Sequence, residues 1–410
     1  MKDKIIVRSA LKDFSNFIKI PEQRKALLNQ SINTPLKKNF AVNSTASFLH
    51  PDVQYLKIRE VIEINRDERC YILYPDSARG TGKLAFFRPG QYLSITLNIG
   101  NSVVTRPFTL CSSPLDSSKD DFYMIKVKKA LHGFATGHIF NTWEKGTEIT
   151  ASAPLGNFYH QSLRDYPFVV GIADSDGIPA FLSMARAIEE KSLNVNLTLF
   201  YSCRKRSDAI FMDELISIQQ STRNFKVIFT FSDEKVDNYE RGFITKQLIE
   251  KYAPPEKFSV FIDGSELLLS LISAQISELG LERKAVRINI GSKVKDARAV
   301  NDFPQEFIGK TFELKVKKDG KVLATIPCPA DETILVALER AGIEALSHCR
   351  VGSCGFCRAR LTKGNVFIPT GTDTRKLADT KHGIIHPCVS YATSDLTIQL
   401  NWVVLSGHSC

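Results

Sequence analysis

Four of the nine cysteines stand at a spacing that does chemistry. "HCRVGSCGFCRARL" followed by "HPCVS" sets Cys349, Cys354 and Cys357 as C-x4-C-x2-C, with Cys388 about thirty residues later. That is the spacing of plant-type [2Fe–2S] ligation, in which four thiolates on a Gly-rich loop enclose two irons. Gly352 and Gly355 let backbone N–H groups approach the sulfurs. A zinc site and four free thiols are the alternatives, but zinc ribbons pair two C-x2-C knuckles and only one is present. The other five cysteines, Cys70, Cys111, Cys203, Cys328 and Cys410, are scattered singly and are expected to pack as small apolar residues or stay free thiols. A one-electron centre needs a source and a sink for electrons, so the rest of the chain is expected to supply at least one.

A second constellation lies upstream. "TRPFTLCSSP" contains R-x-[YF]-[ST] as Arg106, Phe108 and Thr109. Arginine supplies a fork for a phosphate, an aromatic ring can lie against an isoalloxazine, and a hydroxyl can reach the redox-active edge of a flavin. "RPGQYLSI" (88–95) precedes it, "GFAT" (133–136) offers a second phosphate turn, and "APLGNF" (153–158) follows.

These residues need elements to hold them. From Gln54 to about Leu155, short strands separated by Pro, Gly and Asp turns ("QYLKIREVIEI", "ERCYILY", "QYLSITL", "DFYMIKVKK", "TEITASA") predict an antiparallel β-barrel. From 164 to 291, the apolar runs "FVVGI", "VNLTLFY", "FKVIFTF", "FSVFI" and "VRINI" alternate with the helical patterns "PAFLSMARAIEEK" and "SELLLSLISAQISELG", which predicts an α/β parallel sheet. Phe181, Met184, Ala185 and Ile188 share one face of the first of these helices, as a core stripe does. "KTFELKVKKDGKVLATIPC" reads as a hairpin, "DETILVALERAGI" as a capped helix and "SDLTIQLNW" as a closing strand.

The last segment, with its cysteines, resembles the plant-type ferredoxin domain, an α+β β-grasp fold. The barrel motifs resemble the flavin domain of the ferredoxin-NADP reductase superfamily, and the whole resembles the phthalate dioxygenase reductase-like arrangement. The resemblance divides the chain into a 1–50 N-terminal extension, a 51–163 flavin barrel, a 164–291 NAD(P)-type domain, a 292–308 linker, a 309–402 ferredoxin domain and a 403–410 tail. It implies that Arg106 binds flavin phosphate and that Phe108 packs on the ring system, Phe standing where Tyr is commoner. Thr109, the candidate catalytic residue, would hydrogen-bond near N5. Ile125 to Val127 would lie along the ribityl chain, and Gly133 and Thr136 would hold phosphate or pyrophosphate. Either FAD or FMN is compatible.

In the family the middle domain takes NAD(P)H through a loop written G-G-x-G-I-T-P and a later C-G-P. Here "DSDGIPA" and "DGS" stand there, so Gly177, Ile178 and Gly264 are kept while Asp174, Asp176 and Asp263 intrude. The family's acidic and aromatic ending is replaced by "INIGSKV". A carboxylate about 5 Å from a phosphate charge, at an effective dielectric near 20, costs roughly 3 kcal/mol, or about two decades in affinity. The site is therefore expected to be weakened or lost unless both side chains of the first turn point to solvent. Arg204, in "CRKR", matches a position that can meet a 2'-phosphate, and a solvated basic turn is the reading preferred for it.

A net charge of +10, spread over a chain with 54 basic residues, forms no long basic tract and argues against nucleic acid. No window approaches 18 apolar residues and the first residues carry no apolar signal core, so a cytoplasmic chain without a membrane span is expected. The reading reached is an electron-transfer oxidoreductase passing electrons between flavin, cluster and a partner redox protein, with NAD(P)H doubtful. An NAD(P)H-dependent reductase and a redox-sensing scaffold without turnover are the rival readings.

Overall fold

The computed structural model describes residues 10–30, 40–131, 133–289 and 302–400. Residues 1–45 form one unit and 46–410 another. In the first unit the described residues lie in helix α1 (Ala10–Gln30), which has Pro21 inside it, and in the start of α2 (Ala41–Leu49).

The second unit opens with six strands: β1 (Gln54–Asn65), β2 (Glu68–Pro75), β3 (Tyr92–Ile99), β4 (Ser102–Thr109), β5 (Tyr123–Lys128) and β6 (Glu148–Ala151). They pair antiparallel in the order β4-β3-β6-β1-β2-β5, and a bridge between Leu110 and Ile125 brings the two edges together. Alternation along the strands sends Leu56, Leu73, Leu93, Ile95, Ile125 and Val127 into one core. Helix α3 (Pro114–Lys119) is started by a capping box between Ser113 and Asp116, and α4 (Phe134–Thr142) buries Ala135 and Ile139 against the barrel.

Next comes a six-stranded parallel sheet of β7 (Phe168–Ala173), β8 (Asn196–Cys203), β9 (Phe225–Phe231), β10 (Glu240–Arg241), β11 (Phe258–Asp263) and β12 (Val286–Asn289), in the order β10-β9-β8-β7-β11-β12. Its helices are α5 (Ile178–Glu189), α6 (Met212–Ser221), α7 (Lys246–Tyr252) and α8 (Glu266–Glu278). The expected stripe of α5 is buried, and so is most of its opposite face. The reason is a second partner: Ser183 Oγ donates to Ser112 O (2.6 Å) and Arg186 donates to Cys111 O (2.8 Å), so α5 lies between its own sheet and the barrel.

The C-terminal domain holds β13 (Thr311–Lys318), β14 (Lys321–Pro329), α9 (Ile334–Arg340), β15 (Ala359–Lys363), β16 (Val366–Phe367), α10 (Leu377–Lys381), β17 (Ile384–Ile385), β18 (Tyr391–Ala392) and β19 (Leu396–Leu400). The main sheet runs β14-β13-β19-β15-β17, with β13 and β19 parallel, and α9 packs Ile334, Ala337 and Leu338 into its core. Thr333 caps α9 by accepting the Val336 N–H. Part of the stretch expected as a linker lies outside the described residues; in the rest, Phe303 is buried against Tyr391 and Phe367, so the packing of this domain takes in residues before 309. Among the described residues no helix is long and apolar enough to cross a membrane.

Candidate electron-transfer site

The loop between α9 and β15 carries Cys349, Cys354 and Cys357, and Cys388 comes from the turn after β17. Left-handed backbone at Arg350 (φ 58°), Gly352 (φ 79°) and Gly355 (φ 67°) coils the loop so that its N–H groups point inward. The Cys354 N–H approaches Cys349 Sγ and the Phe356 N–H approaches Cys354 Sγ, each at 3.4 Å. The sulfurs fall into two pairs. Cys349 and Cys354 are hydrogen-bonded to one another, and the Cys357 and Cys388 sulfurs lie 3.4 Å apart. Among the described residues no three metal-binding side chains converge on a single ion. Two sulfur pairs side by side suit two irons, each taking two thiolates, better than one zinc. The hydrogen bond from Cys354, helped by the hydroxyl of Ser353 and the N–H groups of Val351 and Cys354, pulls the Cys349 thiol down to about 5, against the opposing effect of burial. A sulfur so stabilised as thiolate is ready to ligate.

On the barrel, Arg106 points toward the cluster domain. Its guanidinium lies 3.7 Å from Glu339, whose carboxylate is already held by Arg350 at 2.5 and 3.0 Å. Two cations thus share one anion. Burial lowers Arg106 to about 10, the neighbouring Arg350 pushes the same way and Glu339 opposes them. A half-buried cation with so little compensation suits a phosphate. No side-chain hydrogen bond among the described residues engages the Thr109 hydroxyl, which leaves it available.

The remaining barrel positions offer less side chain than the sequence suggested. Phe108 is 9% exposed and packs into the barrel core, its ring 6.4 Å from that of Trp143. Ile125 and Val127 fill the same core, so what they present outward is backbone. At the second turn, Gly133 begins α4 without any side-chain cap, and a Cβ there would stand 2.3 Å from Thr136 Oγ1. Thr136 ties the turn together by accepting the Ala130 N–H at 3.0 Å. The open end of a nine-residue helix behind an obligatory glycine fits a phosphate. No hydrogen bond or ion pair among the described residues joins this turn to Arg106.

The structure adds a junction that sequence reading did not find. Thr105 donates to Ser347 O (2.9 Å) and also bonds the Ser347 hydroxyl, while Ser102 donates to Glu339 O (2.7 Å). The strand bearing the flavin motif therefore touches the cluster loop directly. Tyr92 belongs to the same junction. It pairs with Thr109 across β3 and β4, and its phenol is pushed up by burial and by the nearby Cys349 and Cys354 sulfurs. It stands inside the quoted "RPGQYLSI", yet nothing in that string marks it as facing another domain.

In the parallel-sheet domain, Arg204 is 76% exposed and paired with Asp233 at 2.9 Å, as a solvated turn residue is. Cys70, Cys111, Cys203 and Cys328 are buried free cysteines. Cys410 lies outside the described residues.

Three family models match in chain order: the oxidoreductase FAD-binding domain over residues 55–160, the oxidoreductase NAD-binding domain over 172–273 and the 2Fe-2S iron-sulfur cluster binding domain over 316–393. The structure aligns with phthalate dioxygenase reductase, described as a modular structure for electron transfer from pyridine nucleotides to [2Fe–2S]. The TM-score is 0.61 at 22% identity, covering 85% of this chain and 98% of that one. The chain carries these three domains in the order and with the fold of phthalate dioxygenase reductase. The glycine betaine monooxygenase reductase subunit of Chromohalobacter salexigens is 24% identical over 358 residues, 83% of this chain and 93% of that protein. The ferredoxin reductase component of 3-ketosteroid-9-alpha-monooxygenase from Mycobacterium tuberculosis is 26% identical over 350 residues, with the same shares covered.

One of the intruding aspartates yields a stability prediction. Asp263 is buried at the end of β11 and accepts a bond from Asn289 Nδ2 at 2.9 Å. Burial pushes its carboxyl well above the usual range; Asp174 and Asp176 add to this, while Asn289 and the Gly264 N–H oppose it. An acid whose pKa rises on folding costs nothing below its unfolded value of about 4 and costs progressively more as pH rises above it. Asp263→Asn keeps the acceptor for Asn289 and removes the ionisation. It is expected to raise the melting temperature by roughly 2–4 °C at pH 8 and to leave it unchanged near pH 4, as paired thermal melts will show.

Proposed function

We propose that the chain carries electrons between a flavin on the barrel, the cluster of the C-terminal domain and a separate redox protein, as the reductase component of an oxygenase-type system. The observation that supports this best is the junction of β4 with the cluster loop, where Thr105 meets Ser347 and Arg106 shares Glu339 with Arg350. Bound flavin supplies both two-electron and one-electron chemistry, and a [2Fe–2S] cluster only the latter. The residues of the chain set the geometry. Cys349, Cys354, Cys357 and Cys388 hold the cluster, and Arg106, Gly133 and Thr136 hold flavin phosphate groups. The edge of Phe108 and the backbone of Ile125 to Val127 border the ring system and its chain, and Thr109 presents its hydroxyl to the redox-active edge.

Anaerobic photoreduction of the purified protein tests the reading. Uptake of about three electrons per chain is expected, followed by their delivery to a one-electron acceptor such as cytochrome c. Equal cytochrome c reduction by protein stripped of iron would overturn it, and reduction of the cofactors without any transfer would favour the sensor reading. Thr109→Ala should keep its flavin and slow flavin reduction roughly tenfold, the effect of one hydrogen bond at the reacting edge. Rapid-mixing kinetics measure this, and an unchanged rate would remove Thr109 from the site. A second reading, an NAD(P)H-fed reductase, draws support from the family match over residues 172–273.

A further inference from the structure

The helices α5 and α8 begin side by side, because β7 and β11 are neighbours with Asp263 level with Ala173. Their first backbone N–H groups gather at the C-terminal edge of the parallel sheet, where a dinucleotide's phosphates need such donors. Here the anion at that place is part of the chain. Asp174 Oδ1 accepts the N–H groups of Asp176 (2.9 Å) and Gly177 (3.2 Å). Its Oδ2 accepts the N–H (2.9 Å) and the hydroxyl (2.5 Å) of Ser265, from the cap of α8. The expectation that the intruding aspartates either repel a phosphate or turn to solvent is thus corrected for Asp174, which turns inward.

Its surroundings are shaped to seat it. A Cβ on Gly264 would stand 2.8 Å from Asp174 Oδ1, and one on Gly177 would stand 1.8 Å from Asp263 O. The two glycines kept from a nucleotide cradle therefore serve to admit the carboxylate and to press the two turns together. The cations on the barrel side are engaged as well. Lys128 pairs with Asp176 at 2.7 Å, and buried Lys126 pairs with Glu68 at 2.7 Å and donates to Ser175 O at 2.5 Å. Beside them opens a cleft of about 660 Å³, whose lining sets Asp67, Asp174 and Asp208 beside Arg66 and Arg204. The residues present do not suit a pyridine dinucleotide: the N–H groups of Asp176, Gly177 and Ser265 already bond Asp174, and Lys126 and Lys128 are paired with carboxylates.

We propose that the Asp174 carboxylate stands in for the pyrophosphate of a dinucleotide, making it the residue that excludes pyridine nucleotides from this domain. This deepens the electron-carrier reading and rests on it. A ligand phosphate would have to displace four hydrogen bonds to Asp174 and then lie against its charge.

Calorimetric titration of the full chain with ADP-ribose, which carries the pyrophosphate and no nicotinamide, reads the site without turnover. Stopped-flow mixing with NADH and with NADPH reads flavin reduction beside it. Asp174→Gly with Asp176→Ser should bind ADP-ribose at least tenfold more tightly than the parent, from the electrostatic term discounted for screening. Asp174→Asn, which keeps the turn's acceptor and removes the charge, should fall between them and covers the case in which the double variant does not fold. A parent whose flavin is reduced by micromolar NADH within milliseconds would overturn the proposal. So would folded variants, with full flavin, that bind no better than the parent. Photoreduction of flavin and cluster in every variant keeps the two readings apart: if it fails in the parent, the carrier reading has failed, whatever the nucleotide does.

Discussion

Cys354→Ser is expected to yield protein with its flavin in place and its iron reduced from about two atoms per chain to near none. Cys354 is the most exposed of the four cysteines, and it takes part in two N–H···S contacts of the loop, receiving one from Phe356 and giving one to Cys349. Serine matches it in size and leaves the coiled backbone intact. Its hydroxyl, however, stays protonated where a thiolate is wanted, so one iron of the pair loses a ligand and the shared cluster goes with it. The flavin is insulated from this loss, because the barrel has a core of its own built from residues 56 to 151. Cys328→Ala is the control. That cysteine is buried in the core of the same domain but stands apart from the cluster loop, so its loss should lower stability and keep the iron. Iron and acid-labile sulfide assays with the low-temperature EPR of the reduced protein read the result. A complete [2Fe–2S] signal in the serine variant would remove Cys354 from the ligand set.

Where a strand lies could be read wherever apolar alternation or an apolar run was unbroken. β1, β2, β5, β7, β8, β9, β11 and β19 all fall within a residue or two of such runs. The elements that were not read had weaker patterns. α6, "MDELISIQQS", buries only Met212, Leu215 and Ile218, and α7 buries only Ile249. α4 begins at an uncapped glycine and so lacked the Ser, Thr or Asp that signals a start. Long-range side-chain partners left no local trace at all. Ser347 meets Thr105 across 242 positions, and Ser265 meets Asp174 across 91. The charge of Asp174 was visible in the sequence. Its direction was set by a serine that no spacing rule connects to it, and that direction turns a repelling residue into a seated one.

Arg106→Ala is expected to lose flavin while the iron stays at about two per chain. If the fork of Arg106 makes two charge-assisted hydrogen bonds to a phosphate, its removal costs roughly 3 kcal/mol, or about 100-fold in flavin affinity. The structure also gives Arg106 a rival occupation as a docking contact for the cluster domain, through Glu339. That contact is the weaker arm of the triad: 3.7 Å, against the 2.5 and 3.0 Å with which Arg350 grips the same carboxylate. The junction should therefore survive the loss of Arg106, held by the bonds from Ser102 and Thr105. Glu339→Gln separates the two roles. If Arg106 serves mainly to dock the domains, the glutamine variant will lose flavin or slow electron transfer as the alanine variant does. If Arg106 serves a phosphate, removing its anionic neighbour Glu339 leaves the guanidinium freer for the ligand, and flavin affinity will hold or rise. Titration of flavin into each apoprotein, with iron assayed on the same samples, decides between these outcomes. Equal flavin occupancy in Arg106→Ala and the parent would remove the arginine from the site.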